Sequence, residues 1–262
     1  MSTSEELFSV RGRVVIITGG AGKLGREYAR ALSDAGAYVA LFDIMPEGKV
    51  PEGVAGSYHR VDVTDRDAVF AAVRAILDAE GRIDVLINNA ALDAVPGSDA
   101  SRLQFAPYED YSADLWEREL AVGLTGMLFA TQAVAPAMKK HNSGSIINIS
   151  STYGTVGPDN HIYGEGKFKS IAYATVKSGV LNFTRAWASY LRGTGIRVNT
   201  LTLGGVLFGQ DPKFVAAYAD RTILGRMADR TDYNGAVLFL ASDASRYMTG
   251  ANLIVDGGWT AW

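Results

Sequence analysis

The sequence predicts an α/β fold: a doubly wound parallel sheet with helices on both faces, in a single domain over residues 1–262. Three observations predict it. Short apolar, β-branched runs such as Val14–Ile17 and Ile83–Ile87 read as strands buried on both faces. Segments of helical periodicity alternate with such runs from end to end. A glycine-rich turn, Thr18-Gly-Gly-Ala-Gly-Lys-Leu-Gly25, joins the first strand directly to a helix. The chain is 48% hydrophobic and 20% charged, which suffices for a sizeable core.

Composition also excludes functions. A net charge of −3 gives no reason to expect nucleic acid or an anionic membrane as partner. The absence of cysteine excludes disulfides, thiol catalysis and cysteine metal sites. Three scattered histidines (His59, His141, His161) argue against a histidine metal site. The start, MSTSEELFSVRGR, lacks the apolar core of a signal peptide. Uninterrupted apolar runs are only strand-length, so no membrane span and a cytoplasmic location are expected.

In chain order, the glycine turn comes first. It sets backbone N–H groups at a helix N-terminus, a site suited to a pyrophosphate, and its glycines admit the ligand closely. Gly19, Gly22, Lys23, Leu24 and Gly25 are therefore cofactor-binding candidates. The helix that follows ends at Gly36. The strand Tyr38–Phe42 delivers Asp43, with Ile44 beside it, about 20 residues beyond the turn. A carboxylate there accepts hydrogen bonds from ribose hydroxyls and repels a 2′-phosphate, which predicts NAD rather than NADP. A third strand, Tyr58–Val63, brings Asp62 and Val63 to the same edge, and Thr64 or Asp65 caps the next helix. The fourth strand closes in Asn88-Asn89-Ala90-Ala91, where asparagines can bond backbone across the sheet; Asn89 and Ala90 join the candidates. Residues 91–111 read as a long exposed loop on the rim of a substrate site. A long helix, Ala113–Lys140, is expected to bend near Gly123, Gly126 and Pro136.

The fifth strand, Ser145–Ile149, delivers Ser150 and Ser151, and two Tyr-x-x-x-Lys pairs follow. Tyr163–Lys167 encloses two glycines, each costing about 0.8–1 kcal/mol against alanine in a helix. Tyr173–Lys177 opens a run with Val176, Val180, Leu181, Phe183, Thr184, Trp187 and Leu191 at helical spacing. Tyr173 and Lys177 then share one helix face, and Tyr163 is assigned to a loop. An ammonium beside a phenol favours the phenolate, so the phenol pKa is expected to fall. Such a phenol exchanges a proton with an alcohol or carbonyl, with Ser151 holding the substrate oxygen. The sixth strand, Arg197–Leu203, leads through Gly204-Gly205-Val206 into a glycine-broken helical segment, expected to be a lid over residues 206–228. A helix (Tyr233–Leu240) and a strand (Leu253–Val255) end the chain. The candidates converge on the carboxyl ends of strands, where sheets of this Rossmann type bind ligands.

TGGAGKLG, LFD, VDV, NNAA, NISS, YATVK, GIRVN and VDGGW together resemble the short-chain dehydrogenase/reductase family across nearly all of the chain. The resemblance implies nicotinamide-dependent hydride transfer on a small-molecule substrate. Tyr173 would be the general acid/base, and Lys177 would lower its pKa and hold the ribose. The family's lysine-to-asparagine spacing selects Lys177 with Asn199 over Lys167. It also implies a homo-oligomer, a tetramer or dimer, built on the helices 113–140 and 173–192. The Ser151-to-Tyr173 gap exceeds the family's usual one, which marks an inserted active-site loop at 156–171. Four positions depart from the family pattern: Lys23 and Ala91 replace glycines, Gly123 an asparagine of the proton relay, and Leu203 a proline. If a water or a shifted group substitutes for the relay asparagine, Gly123→Asn is expected to alter the pH–rate profile little. YGTVGPDNHIYGEGKF, GQDPKFVAAYADRTILGRMA and VDGGWTAW are similar to a subgroup associated with flagellin modification and nonulosonic-acid synthesis. A sugar or polyol would suit a loop offering Asp159, Asn160, His161 and Glu165. Two alternatives stay open on these residues: an epimerase or dehydratase that regenerates its NAD, and a dinucleotide-binding protein without catalysis.

Overall fold

The computed structural model describes residues 3–46, 49–93 and 99–262. The elements run α1 (Ser4–Phe8), β1 (Val14–Thr18), α2 (Lys23–Asp34), β2 (Tyr38–Asp43), β3 (Gly56–Arg60), α3 (Arg66–Glu80), β4 (Val85–Asn88) and α4 (Asp99–Gln104). They continue α5 (Ala113–Leu120), α6 (Gly126–His141), β5 (Gly144–Ser151), α7 (Ile171–Tyr190), β6 (Ile196–Leu203), α8 (Pro212–Asp220), α9 (Asn234–Ala241) and β7 (Asn252–Val255). The seven strands form one parallel sheet in the order β3-β2-β1-β4-β5-β6-β7. The order reverses between β1 and β4, which opens a crevice at the carboxyl ends of those strands.

Strand side chains alternate between faces, and each face buries its own core. Val15, Ile17, Val39 and Leu41 pack with Tyr28 and Leu32 of α2 and with Val237 and Leu240 of α9. Ile16, Ala40, Phe42 and Leu86 pack with Val69 and Val73 of α3 and with Ala130 and Val134 of α6. This is the reason for the unbroken apolar runs: a doubly covered strand has no wet face.

Several elements differ from the sequence expectation, each for a local reason. The third strand stops at Arg60, because the Asp62 carboxylate accepts hydrogen bonds from the Thr64 N–H (2.9 Å) and hydroxyl (2.7 Å) and turns the chain. Asp65 rather than Thr64 caps α3, accepting from the Ala68 N–H at 3.0 Å. The long helix holds a π-helical turn, Ala121–Thr125, between α5 and α6, while Pro136 stays inside α6. Gly123 in that turn is buried, and a Cβ there would collide with Val176 of α7. The stretch 91–111 is not wholly loop: it contains α4 and a 3-10 turn at Tyr108–Asp110, and its residues 94–98 lie outside the described ones. The segment Ala113–His141 is long and apolar enough to cross a membrane by length and composition. The expectation from uninterrupted runs overlooked it because the polar Thr125, Thr131 and Gln132 break its apolar stretch. It packs here against α3, β4 and β5 as a layer of the fold.

Candidate active site

At the crevice between β1 and β4, the glycine turn is shaped by close approach. Gly19 has φ +63°, and a Cβ on it would sit 2.9 Å from Ala90 Cα. A Cβ on Gly25 would collide with the Gly19 carbonyl, so Gly25 serves helix packing and does not line the cleft. Asn89 Nδ2 donates to the Thr18 and Gly19 carbonyls at 3.0 and 3.1 Å. The Thr18 hydroxyl accepts from the Asn89 and Ala90 N–H groups at 3.0 and 3.1 Å. The Asp43 carboxylate accepts from the Ala21 N–H at 2.9 Å, which ties the end of β2 to the turn. Gly22 is the N-cap of α2 and offers no side chain to the helix's first N–H groups.

A cleft of about 960 Å³ runs along these strand ends. Gly19, Gly22, Lys23, Leu24, Asp43, Asn89, Ala90 and Val206 line it, together with Ser151, Tyr173 and Lys177. Ile44, Asp62 and Val63 do not. Ile44 points to solvent, Asp62 is engaged by Thr64, and Val63 is buried against Gly126. Lys23 lies with its ammonium 4.3 Å from the ring centroid of Phe208.

The catalytic candidates come together from two elements. Ser151 ends β5, and its hydroxyl is a hydrogen-bond partner of the Tyr173 phenol. Ser170 caps α7 by accepting from the Tyr173 N–H at 2.9 Å. One turn on, Lys177 Nζ donates to the Ile149 carbonyl at 2.9 Å and lies 5.6 Å from the Tyr173 ring centroid. The Ser150 hydroxyl donates to the Lys177 carbonyl at 2.7 Å and locks the helix onto the strand. Gly164 and Gly166 both have positive φ, so Tyr163 and Lys167 share no helix face.

The electrostatics correct one expectation. The Tyr173 phenol is pushed up, chiefly by burial and then by the charge of Asp93, while the Ser151 hydrogen bond opposes the shift. Burial also brings Lys177 down to about 8. Desolvation acts on both partners and outweighs the attraction that the sequence spacing alone suggested.

The wall facing these residues is aromatic and was missed in the sequence. Tyr163 sits at the end of a 3-10 turn, Asn160–Tyr163, and its hydroxyl donates to that of Tyr153 at 3.0 Å. Its ring lies 5.4 Å from that of Phe105 and 5.3 Å from that of Phe214. Tyr218 stacks on Trp259 at 4.1 Å and accepts from the Gly205 N–H. The inserted loop contributes Tyr163, Gly166, Lys167 and Lys169 to the cleft. Asp159, Asn160, His161 and Glu165 do not line it. Asp159 lies 3.4 Å from Arg221 and caps the His161 N–H, and Asn160 accepts from the Lys169 N–H. The only hint was the density of aromatic residues in the insertion and in 208–218. Buried Glu119 joins the segments: its carboxylate accepts from Gln104 (2.8 Å), Tyr111 (2.6 Å) and Ser170 (2.8 Å). Among the described residues no cluster of His, Asp and Glu is arranged to hold a metal ion.

These features suit a nicotinamide dinucleotide. A cradle without Cβ atoms and an uncapped helix N-terminus would receive the pyrophosphate, and Asp43 would receive the ribose hydroxyls. The family model described as enoyl-(acyl carrier protein) reductase matches residues 19–260. The chain belongs to the short-chain dehydrogenase/reductase family of oxidoreductases. It is 36% identical to trans-4-hydroxycyclohexanecarboxylate dehydrogenase of Sinomonas cyclohexanicum, over 96% of this chain and 94% of that protein. A gluconate 5-dehydrogenase from Burkholderia cenocepacia, solved with NADP and tartrate, superposes with a TM-score of 0.87 at 29% identity, covering 99% of this chain and 100% of that one. A short-chain dehydrogenase from Leptospira borgpetersenii with bound NAD+ also gives 0.87 at 29% identity, covering 99% and 96%.

Proposed function

We propose that the protein is an NAD(H)-dependent oxidoreductase that interconverts a secondary alcohol and a ketone on a polar, sugar- or polyol-like compound. One observation carries this reading: Ser151, Tyr173 and Lys177 meet at the end of β5 in the same cleft as the glycine turn and Asp43. Relatives that oxidise a ring alcohol or a sugar acid support the reaction class. Solved relatives with NADP and with NAD+ support a nicotinamide dinucleotide, and Asp43 favours the form without a 2′-phosphate.

When bound, the nicotinamide supplies hydride acceptance or donation. The chain supplies the rest. The substrate oxygen sits between the Ser151 and Tyr173 hydroxyls. In carbonyl reduction Tyr173 gives its proton to that oxygen, and in alcohol oxidation it takes the proton back. Burial keeps the phenol protonated, which poises it as a donor. The Lys177 ammonium stabilises the phenolate that oxidation requires. The aromatic wall excludes water, which strengthens both interactions.

Residues 206–228 act as a lid in this reading. A bridge between Val206 and Ala228 pins the base, and Phe208, Gln210 and Phe214 reach over the cleft. A homo-oligomer, tetramer or dimer, pairs through α5–α6 and α7, where Tyr190 is exposed. The test is a fluorescence titration with NADH and NADPH side by side, followed by NAD-linked oxidation of polyols and hydroxy acids. Tighter NADH binding and turnover that needs Tyr173 are expected. Binding of neither dinucleotide overturns the reading.

A further inference from the structure

We infer that the substrate carries an anionic group, a carboxylate or a phosphate, near its reacting carbinol, and that Lys169 of the inserted loop receives it. Lys169 is only 8% exposed, yet it lines the cleft. Lysine is rarely buried without a partner, because an ammonium is costly to remove from water. The backbone around it is fixed on both sides: its N–H donates to Asn160 at 2.9 Å, and its carbonyl accepts from the Tyr108 hydroxyl at 3.2 Å. Its ammonium lies 4.0 Å from the Tyr173 ring centroid, nearer than that of Lys177. The structure therefore holds a fixed positive charge against the reactive phenol, beyond the one used in proton transfer.

The partner of that charge points to the ligand. Asp93 Oδ1 lies 2.7 Å from Lys169 Nζ, and the Asp93 side chain is 58% exposed. A carboxylate reaching in from the solvent side thus already occupies the position a substrate anion would take. Arg102 and Lys167 line the same wall, and neither has an ion-pair partner among the described residues. Of the other acidic groups near this end, Asp211 accepts from the Lys213 N–H as the N-cap of α8, and the buried Glu119 carboxylate is taken up by Gln104, Tyr111 and Ser170. Among the described side chains that line this end of the cleft, cations exceed carboxylates, so an arriving anion displaces Asp93 and gains a charge-assisted hydrogen bond in a site of low dielectric. Asp93 is the intramolecular stand-in for the substrate group.

The inference rests on the reading of Tyr173 as the proton-transfer group, so its test measures binding without turnover. Calorimetry is run on the Tyr173→Phe protein, with and without NAD+, using probes of matched skeleton. One set is sorbitol, gluconate and sorbitol 6-phosphate. A second is trans-cyclohexane-1,4-diol and trans-4-hydroxycyclohexanecarboxylate. An anionic probe is expected to bind about 10- to 100-fold tighter than its neutral counterpart. Adding Lys169→Met brings the anion down to the neutral level. Lys169→Arg keeps the preference, which separates loss of charge from loss of fold. Asp93→Asn tightens the anion further. The anion with the greater loss on Lys169→Met tells carboxylate from phosphate. No preference for any anion, a preference that survives Lys169→Met, or anion binding weakened by Asp93→Asn each overturns the inference. Tighter binding of the neutral polyols does so too, and assigns the Lys169–Asp93 pair to hydroxyl recognition. Lys169-dependent anion binding without NAD-linked turnover in the wild type overturns the functional reading alone.

Discussion

The two ends of the cleft are held by different kinds of contact. At the glycine turn the shape comes from backbone: Gly19 and Gly25 lack the Cβ that would collide, and Asn89 and Asp43 bind main-chain groups. At the other end it comes from side chains of distant segments: Phe105 on Tyr163, Tyr163 on Phe214, Lys169 on Asp93, and Glu119 joining three segments. A backbone-built end accepts one ligand shape and tolerates few changes of shape. A side-chain-built end can change its ligand by substitution while the cofactor end stays as it is. One cleft thus separates general chemistry from particular specificity.

Predictions test that division, the largest expected effect first. Tyr173→Phe removes the phenol proposed as proton donor and is expected to cut turnover by about 10²- to 10⁴-fold, with the dinucleotide titration still saturating. Steady-state kinetics beside that titration check it, and intact turnover would sink the mechanism. Asp43→Ala acts on the backbone-built end alone. It is expected to shift the NADH-to-NADPH affinity ratio about 10- to 100-fold toward NADPH. An unchanged ratio would mean that another group sets cofactor choice.

Gly123→Asn tests the joint between the ends. The structure replaces the expected small pH–rate effect with a packing conflict, since a Cβ at 123 collides with Val176, next to Lys177. Overpacking of this kind costs about 1–3 kcal/mol, read as a lower Tm that Val176→Ala partly restores. An unaltered Tm would show that the π-helical turn gives way instead.

The smallest effect is a tilt of stability with pH. Lys177 has a folded pKa near 8 against 10.5 for the free side chain, so between those values the unfolded chain binds the extra proton. Stability from this group therefore rises with pH from about 8 to about 10.5, and its burial cost is fully present below about 8. Tyr173, shifted upward, acts the other way above about 10, where only the unfolded phenol ionises. Melting curves from pH 8 to 10 should rise less in Lys177→Met than in the parent. Parallel curves would contradict a buried, shifted Lys177.

How legible each part was in the sequence follows the same division. The glycine turn, Asp43 and Asn89 lie at strand ends, and a parallel β-α-β order brings such ends to one edge whatever the side chains do. Ser151, Tyr173 and Lys177 were legible because a strand end and one turn of helix place them. Asp62 was misplaced because a two-residue capping turn ends its strand early. The insertion was read for its polar residues, and the structure turned Asp159 and His161 outward and Tyr163 and Lys169 inward. No periodicity governs a loop of that kind, so only its packing against Phe105 and α8 selects which side chains enter.

The sequence by itself determined the doubly wound sheet, the close-packed glycine turn at its switch point and the meeting of Ser151, Tyr173 and Lys177 in one cleft, because strand and helix periods and close glycine spacing are local properties. Only the tertiary structure decided the protonation tendencies of Tyr173 and Lys177 and the charge on the substrate wall. Burial and through-space charge depend on what surrounds a group, and in this cleft those surroundings come from segments far apart in the chain.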